Sequence, residues 1–424
     1  MENSNNSLPV ENRGWLVTFA GMGINLALGI LYTWSVISEA IPAEWGWTET
    51  AKSLPYMFAC LVFSLVMVGA GRMQDKIGPA IVAAIGGLLV GVGFIIASQT
   101  VSAIGYIIGF GILTGAGIGF AYAATTPPAV KWFPAARTGL IAGLVVSGFG
   151  LASVYTAPLS RWLIGQFGIQ TAMLILGVGF FVLITGIKSI AMFIWNGLAG
   201  FLQSPPKGFV PERAEASKKE TIHDKDNWTP VEMLKTPQFY LIWFMYAFGA
   251  GAGLMIISKL ATIAVHQASI ELGFILVAIL AIGNGAGRVI AGVLSDKIGR
   301  KATLFLIFVI QALAIFLLSI TREGNLLATV PIMAVLSALV GMNYGANLSL
   351  FPALTKDYYG LKNFGINYGL VFTSWGVGGF MLSFLAGKMY DIYQTFAIAY
   401  YGAIGLLVLG GIMVFFLKSP KRSV

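Results

Sequence analysis

Long apolar runs alternate with short polar breaks along this chain of 424 residues. A bilayer core about 30 Å thick is crossed by a helix of roughly 20 apolar residues. The runs are continuous and do not alternate with a period of two, which favours helices, because a helix satisfies its own backbone hydrogen bonds in lipid. The twelve predicted helices span residues 15–37, 54–71, 80–98, 104–129, 139–160, 170–192, 239–262, 272–294, 302–320, 327–350, 365–387 and 394–417. The predicted fold class is an all-α integral membrane protein with twelve transmembrane helices.

Composition excludes a soluble globular protein. Hydrophobic residues make up 57% of the chain and charged residues 10%, and the mean hydropathy is +0.83, which leaves too little polar surface for a soluble fold. The first apolar run is too long for a cleaved signal peptide, so we expect a retained helix. Cys60 is the only cysteine and lies inside the second run. No disulfide, metal site or cofactor is therefore predicted.

A polar stretch at residues 203–236 separates six predicted helices from the other six. Its mixed charge and its prolines are typical of a linker. The predicted organisation is a cytoplasmic N-terminal tail at 1–14, a six-helix bundle at 15–195, a cytoplasmic linker at 196–237 with a short helix near Pro230–Leu234, a second six-helix bundle at 238–417 and a cytoplasmic tail at 418–424.

The two halves carry the same short motif. Residues 71–78 read GRMQDKIG and residues 292–301 read GVLSDKIGRK, with matching positions displaced by 221, since 292 minus 71 is 221. This repeat predicts a duplicated six-helix unit and two pseudo-symmetric bundles. Its glycines would permit a tight turn and close helix contact. The charged residues expected to act in gating are Asp75, Lys76, Asp296, Lys297 and Arg300.

These strings resemble the loop signature of the major facilitator superfamily. The resemblance implies two six-helix bundles that rock about a central site, with the signature loops acting as a gate at the cytoplasmic face. Further strings are similar to the oxalate/formate antiporter family and its monocarboxylate transporter relatives: GILYTWSV at 29–36, KWFPAARTGL at 131–140, FPALTKDYYGL at 351–361 and NYGLVFTSWG at 367–376.

The distribution of Lys and Arg predicts the orientation. Of 26 such residues, 20 fall on the side of the N-terminus and five on the other side, and the remaining one is Arg288. The five are Lys52, Arg161, Lys259, Arg322 and Lys388. By the positive-inside rule both termini are cytoplasmic, in a plasma or bacterial inner membrane. The net charge of +9 then reflects contact with lipid headgroups, and no nucleic-acid partner is predicted.

Arg288 is a permanent cation within an apolar run, and such residues mark substrate pathways by default. It lies eight residues before Asp296, about 12 Å along the helix axis. Ala281, Asn284 and Gly285 share its helix face, and small residues are typical of helix contacts. We therefore expect the guanidinium to point into the protein. The resemblance implies that this arginine binds the substrate carboxylate, for which a guanidinium offers two parallel donors.

The predicted site carries a single positive charge. None of the 17 acidic residues lies in the middle of a predicted helix, so Arg288 has no expected carboxylate partner. Asn284 occupies the place of an aspartate in the monocarboxylate transporter relatives, and Trp375 that of a lysine in the oxalate exchangers. Lys259 is expected to extend to the outer membrane surface. One cation matches a monocarboxylate better than a dianion.

The walls of the site are predicted from polar and aromatic residues on central helices. Phe149 and Trp375 occupy equivalent strings displaced by 226, since 375 minus 149 is 226, so pseudo-symmetry would place them on opposite sides of the cavity. The candidate substrate-binding residues are Arg288, Asn284, Leu28, Tyr32, Tyr122, Phe149, Asn343, Asn347, Tyr368 and Trp375, with Trp34 and Tyr344 as further wall positions.

The predicted function is secondary active transport of a small monocarboxylate of the lactate, pyruvate or formate class by alternating access. Proton symport and anion exchange both remain open, with Glu39, Glu271, His266 or the substrate itself as the proton carrier. The alternatives are an oxalate-type dicarboxylate/formate antiporter, a drug exporter and a non-transporting membrane sensor of organic acids. An enzyme is not predicted, because no cluster of nucleophile, acid and base is visible in the apolar runs.

Overall fold

The computed structural model describes residues 12–134, 137–188, 194–195, 197–206, 209, 227–360 and 362–420. Eleven helical stretches are long and apolar enough to cross a membrane, and one of them, Gly139–Ile184, is 46 residues long. At 1.5 Å per residue that stretch would be about 69 Å long, more than twice the hydrocarbon thickness. Non-helical backbone at Gly168, with φ 76° and ψ 165°, divides it into two helices. The described chain thus contains the twelve membrane helices that the apolar runs predict.

The helices are numbered in chain order. They are α1 Gly14–Glu39, α2 Glu49–Ile77, α3 Pro79–Ser98, α4 Ala103–Lys131, α5 138–167, α6 169–184, α7 Pro237–Ala268, α8 Gly273–Ile298, α9 Arg300–Ser319, α10 Val330–Tyr359, α11 Phe364–Tyr393 and α12 Ala397–Phe416. Helix α1 narrows to a 3₁₀ helix at Gly29–Thr33, and α4 contains a π-helical segment at Ile107–Thr114. Short 3₁₀ turns lie at Ala43–Trp45, Leu198–Phe201 and Leu326–Ala328.

Helix α6 ends earlier than its apolar run predicts. The run extends to residue 192, whereas the helix stops at Ile184. Two short strands follow, β1 at Ile187–Lys188 and β2 at Ile194–Trp195, and they pair antiparallel. Residues 189–192 of the predicted span lie outside the described residues.

The repeated motif forms the same turn in both halves. Gly78 joins α2 to α3 with φ 93°, and Gly299 joins α8 to α9 with φ 88°. These dihedrals suit glycine, which has no Cβ, so the predicted tight turn is confirmed. The predicted close contact at the first glycine of each motif is wrong, because a Cβ on Gly71 or Gly292 would meet nothing within 4 Å.

The described part of the linker packs on the bundles. The predicted short helix is present at Pro230–Leu234, and a capping box between Thr229 and Glu232 starts it. The indole of Trp132 donates to the carbonyl of Gln203 at 2.7 Å. Residues 210–226 of the predicted linker, most of the N-terminal tail and residues 421–424 lie outside the described residues.

Candidate functional site

Arg288 lies between the two bundles and is only 8% exposed. Its Nη1 donates to the carbonyl of Val146 on α5 at 2.8 Å, and its Nε donates to Oδ1 of Asn284 at 3.3 Å. Gly150 on α5 makes room for the group, since a Cβ there would lie 3.2 Å from Nε. Ile282, by contrast, is 54% exposed on the lipid side of α8. The predicted inward orientation of Arg288 is confirmed.

The acceptors around Arg288 are neutral. No carboxylate in the described part of the chain forms an ion pair with it. The hydroxyl of Tyr122 on α4 also interacts with the guanidinium. A guanidinium has five N–H donors, and the two bonds to Val146 and Asn284 use two of them. The remaining donors and the uncompensated charge suit an anion that enters from outside the protein.

A hydrogen-bonded aromatic cluster joins the bundles beside Arg288. The hydroxyls of Tyr32 on α1 and Tyr344 on α10 lie 2.5 Å apart, and the indole of Trp375 on α11 donates to the Tyr344 hydroxyl at 2.8 Å. Tyr32 also packs edge-on against Phe149 with ring centroids 4.9 Å apart. All four residues are at most 2% exposed. The structure therefore brings together four residues that the sequence predicts for the wall, Tyr32, Phe149, Tyr344 and Trp375.

Phe63 on α2 is a central residue that the sequence does not single out. Its ring centroid lies 5.9 Å from that of Phe149 and 5.1 Å from that of Trp375. The predicted pseudo-symmetric pair therefore contacts one shared ring. Tyr122 packs on Phe63 at 5.3 Å as well. Phe63 stands among other apolar residues in its run, so nothing in the sequence marks it.

Other predicted wall residues have different neighbours. Tyr368 lies with its hydroxyl 3.4 Å from that of Tyr246 and close enough to Arg288 to interact electrostatically. Asn347 donates to the carbonyl of Asn343 and lies against Gly249 of α7, within its own bundle. Asn343 donates to its own helix, at the carbonyl of Leu339.

Two residues of α1 complete the predicted wall. Leu28 is fully buried one residue before the 3₁₀ segment. Trp34 donates to the carbonyl of Lys52 and packs on Phe110 with ring centroids 4.4 Å apart. Its contacts therefore lie inside the first bundle, away from the second.

A buried ion pair joins the bundles near the helix ends remote from the repeated turns. We call this end, with Glu49, Lys259 and Asp391, the opposite face, and the end with the turns at Gly78 and Gly299 the basic face. Nζ of Lys259 on α7 lies 2.7 Å from Oε2 of Glu49 at the start of α2 and also donates to the Glu49 carbonyl at 3.0 Å. Lys259 is 1% exposed. The expectation that it extends to the membrane surface is wrong, because Glu49 holds it inside.

Asp391 at the end of α11 strengthens the same contact. Its carboxylate accepts hydrogen bonds from the backbone N–H groups of Glu49 at 2.7 Å and Thr50 at 2.9 Å. A carboxylate at a helix N-terminus is stabilised by unpaired amides and by the helix dipole. Residues from one bundle thus cap a helix of the other.

The three predicted proton carriers also lie at the opposite face. His266 is in the last turn of α7, which extends past the predicted helix end at residue 262. Its Nδ1 lies 2.5 Å from the hydroxyl of Tyr390, and its Nε2 lies 4.0 Å from Oε1 of Glu39. Glu271 is exposed in the turn before α8.

At the basic face, the ion pairs between described residues lie within single bundles. Asp75 lies 3.6 Å from Nζ of Lys131 at the end of α4. Arg300 contacts Asp296 at 2.7 Å and Asp357 of α10 at 3.1 Å. Lys76 and Lys297 are exposed. Over the described residues no group of three or more His, Cys, Asp or Glu side chains could hold a metal ion.

Comparison with known proteins identifies the family. The sequence profile described as Major Facilitator Superfamily matches residues 14–279 and 254–424. The chain is 26% identical to the MFS-type transporter YhjX of Escherichia coli (strain K12), with 86% of this chain and 85% of that protein covered. It is 27% identical to the oxalate:formate antiporter of Oxalobacter formigenes, with 84% and 80% covered. It is 24% identical to human monocarboxylate transporter 14, with 95% and 88% covered.

The helical architecture and the buried site between two bundles define a multi-pass membrane transporter. The chain belongs to the Major Facilitator Superfamily. The predicted resemblance to oxalate/formate antiporters and monocarboxylate transporters is confirmed, as is the prediction of a transporter and not an enzyme.

Proposed function

We propose that this protein is a secondary active transporter of small monocarboxylates, with Arg288 binding the carboxylate. The main support is the neutral surrounding of the Arg288 guanidinium, which contacts the Val146 carbonyl and the Asn284 amide. A buried, unpaired cation is costly. A bound carboxylate offers the two oxygens that a guanidinium fork pairs with best.

The charge of the site favours a monoanion. Lys259, the second buried cation among the described residues, is already neutralised by Glu49 at 2.7 Å. A dianion such as oxalate would therefore face the single charge of Arg288 in a medium of low dielectric constant. Tyr32, Phe149 and Trp375 would enclose the short apolar part of the substrate.

The contact between the two bundles beside Arg288 is consistent with alternating access. Tyr32 and Tyr344 connect them beside Arg288, so rocking of the bundles would open that site to each side in turn. From the excess of Lys and Arg we infer a cytoplasmic basic face and an external opposite face. We use the term outer face for the latter from here on.

The test is uptake of radiolabelled lactate, pyruvate and formate into proteoliposomes. Arg288→Ala is expected to lower the initial rate at least tenfold, since it removes the cation that the anion needs, and Arg288→Lys is expected to restore only part of it. Tyr240→Phe at an exposed position of α7 is a control that should leave uptake unchanged. Wild-type rates in Arg288→Ala would exclude the proposed role.

Competition by unlabelled anions distinguishes a monocarboxylate transporter from a dicarboxylate exchanger. Excess unlabelled lactate should reduce the uptake of labelled pyruvate, whereas oxalate at the same concentration should reduce it much less, because the site holds one net positive charge. Stronger inhibition by oxalate would favour a dicarboxylate exchanger.

A further inference from the structure

At the outer face both bundles contribute to a buried polar cluster, which we call the lock. The lock consists of Glu49 on α2, Lys259 on α7 and Asp391 on α11, joined by the contacts described above. Gly387 of α11 lets the helices approach here, since a Cβ on it would lie 2.8 Å from the Glu49 carbonyl. Opening the outer side must therefore separate Glu49 from Lys259.

Charges face Glu49 from each helix around it. Lys259 approaches from α7 at 2.7 Å, and Lys52 lies one turn along α2 at 2.9 Å. From α11, Asp391 binds the backbone N–H of Glu49, and Tyr390 lies near the carboxylate. The two cations stabilise the ionised carboxylate while the lock is closed. A proton on Glu49 would remove the attraction and leave the buried Lys259 ammonium without the carboxylate that it contacts.

We propose that Glu49 is a proton-binding site and that its protonation opens the outer face. A proton from the external water binds the Glu49 carboxylate, its ion pair with Lys259 breaks, and Lys259 becomes hydrated in the open mouth. The proton binds the open state better than the closed state, so external acid shifts the population towards the open state. Lys259 then provides a free cation where a carboxylate enters. This inference rests on the proposed function for the identity of that anion, but the gate itself does not.

Glu49 is a better site for this role than the groups predicted from sequence. His266 and Glu39 lie 4.0 Å apart and their side chains are 37% and 24% exposed, whereas those of Lys259 and Glu49 are 2% and 9% exposed. Breaking an exposed pair changes little, while an uncompensated buried charge forces a rearrangement.

Opening of the outer face can be measured as the labelling rate of a buried cysteine, without a transport assay. In a Cys60→Ala background, Ser53→Cys places a thiol one turn below Glu49, at a residue that is 1% exposed. Its labelling by a membrane-impermeant thiol reagent is normalised to Glu323→Cys in an exposed loop, which cancels the effect of pH on thiol reactivity. We expect the normalised rate to rise several-fold from roughly pH 6 to roughly pH 3.5, because a freed glutamate has a pKa of about 4.3 and takes up protons only near and below that value.

Variants identify the responsible carboxylate. When Glu49→Gln is added, the cysteine at position 53 should be labelled fast at both pH values. The double variant Glu49→Gln with Lys259→Met buries no charge, and its labelling rate should also be independent of pH. Glu39→Gln and His266→Gln should keep the wild-type response. An acid response that persists in Glu49→Gln, or that is absent from the protein with Glu49 intact, would overturn the proposal. A normal labelling response in a protein that takes up no monocarboxylate would refute only the proposed substrate.

Discussion

At the scale of single residues, Arg288 and Lys259 show two ways in which a buried positive charge is accommodated. Both are cations buried in the membrane region. Lys259 has an ion-pair partner in Glu49, whereas Arg288 has neutral acceptors only. The first arrangement stabilises the protein without a ligand, and the second leaves a charge that a ligand can complete.

Replacing Asn284 by Asp tests whether Arg288 must lack a carboxylate partner in order to bind substrate. Asn284 lies one turn before Arg288 and already contacts it at 3.3 Å. In Asn284→Asp, an ionised carboxylate would pair with Arg288 and compete with the substrate. We expect the apparent affinity for lactate to fall on the order of tenfold or more at neutral pH and to recover as the pH is lowered and the aspartate is protonated.

The measurement is the concentration dependence of uptake between about pH 5 and pH 8. Asn284→Ala is the control, because it removes the amide without adding a charge and should show no new pH dependence. Unchanged affinity in Asn284→Asp would mean that the substrate carboxylate does not use Arg288.

Gly150 is predicted to fix the position of the guanidinium. A Cβ on this residue would lie 3.2 to 3.3 Å from three atoms of Arg288, so Gly150→Ala must displace the group by a few tenths of an ångström and Gly150→Val by more. Uptake should decrease modestly in the first variant and by about tenfold in the second. Gly143→Ala on the same helix, where a Cβ meets nothing within 4 Å, should retain full uptake.

At the scale of helices, glycines on both α8 and α10 allow the two backbones to pack in close contact. Cβ atoms on Gly283 and Gly287 would lie 2.1 and 2.0 Å from carbonyls of α10, and those on Gly341 and Gly345 would lie 2.0 Å from carbonyls of α8. Such contact is typical of membrane helix pairs, in which small residues permit close packing of backbones. It also holds Arg288 in place, since Ser349 of α10 donates to the Arg288 carbonyl at 2.8 Å.

Gly283→Ala should therefore destabilise the protein. The added methyl group forces the helices apart, and overpacking of this kind costs about 1–3 kcal/mol. We expect the midpoint of thermal unfolding in detergent to fall by several degrees. Gly292→Ala on the same helix has open space around it and should leave the midpoint unchanged or slightly higher. Equal effects of both substitutions would show that close packing does not account for stability here.

Apolar runs predict the number of helices but not where they end. Helix α2 begins at Glu49 although the run begins near residue 54, and α10 continues to Tyr359 beyond a run that ends near residue 350. Helices extend past the hydrocarbon layer into polar surroundings, where hydropathy no longer marks them. The sequence therefore does not single out Glu49, because hydropathy assigns a charge at the edge of a run to a loop. Arg288 is predicted as a membrane cation because its run continues on both sides.

At the scale of the whole molecule, the ion pairs distinguish the two faces. Among the described residues, the pairs that connect the bundles, Glu49 with Lys259 and Glu39 with His266, lie at the outer face. The pairs at the basic face connect helices of one bundle, as Asp75 with Lys131 does. Ion pairs thus join the bundles at the outer face, the end that we propose to be external. The sequence motifs predict two similar halves, but the lock depends on residues far apart in the chain that share no motif.

Crosslinking the lock should stop transport, because alternating access requires the bundles to separate there. In a Cys60→Ala background, Glu49→Cys and Lys259→Cys are joined by a short bifunctional thiol reagent, and monocarboxylate uptake is compared before crosslinking, after crosslinking and after cleavage of the crosslink. We expect loss of most uptake on crosslinking and recovery on cleavage. The matched control joins Gln267→Cys of α7 to Tyr400→Cys of α12, whose native side chains lie 3.1 Å apart within one bundle. That crosslink should leave the rate unchanged, because rocking moves each bundle as a unit. Continued uptake through a protein locked at Glu49 and Lys259 would mean that the bundles do not part at the outer face during transport.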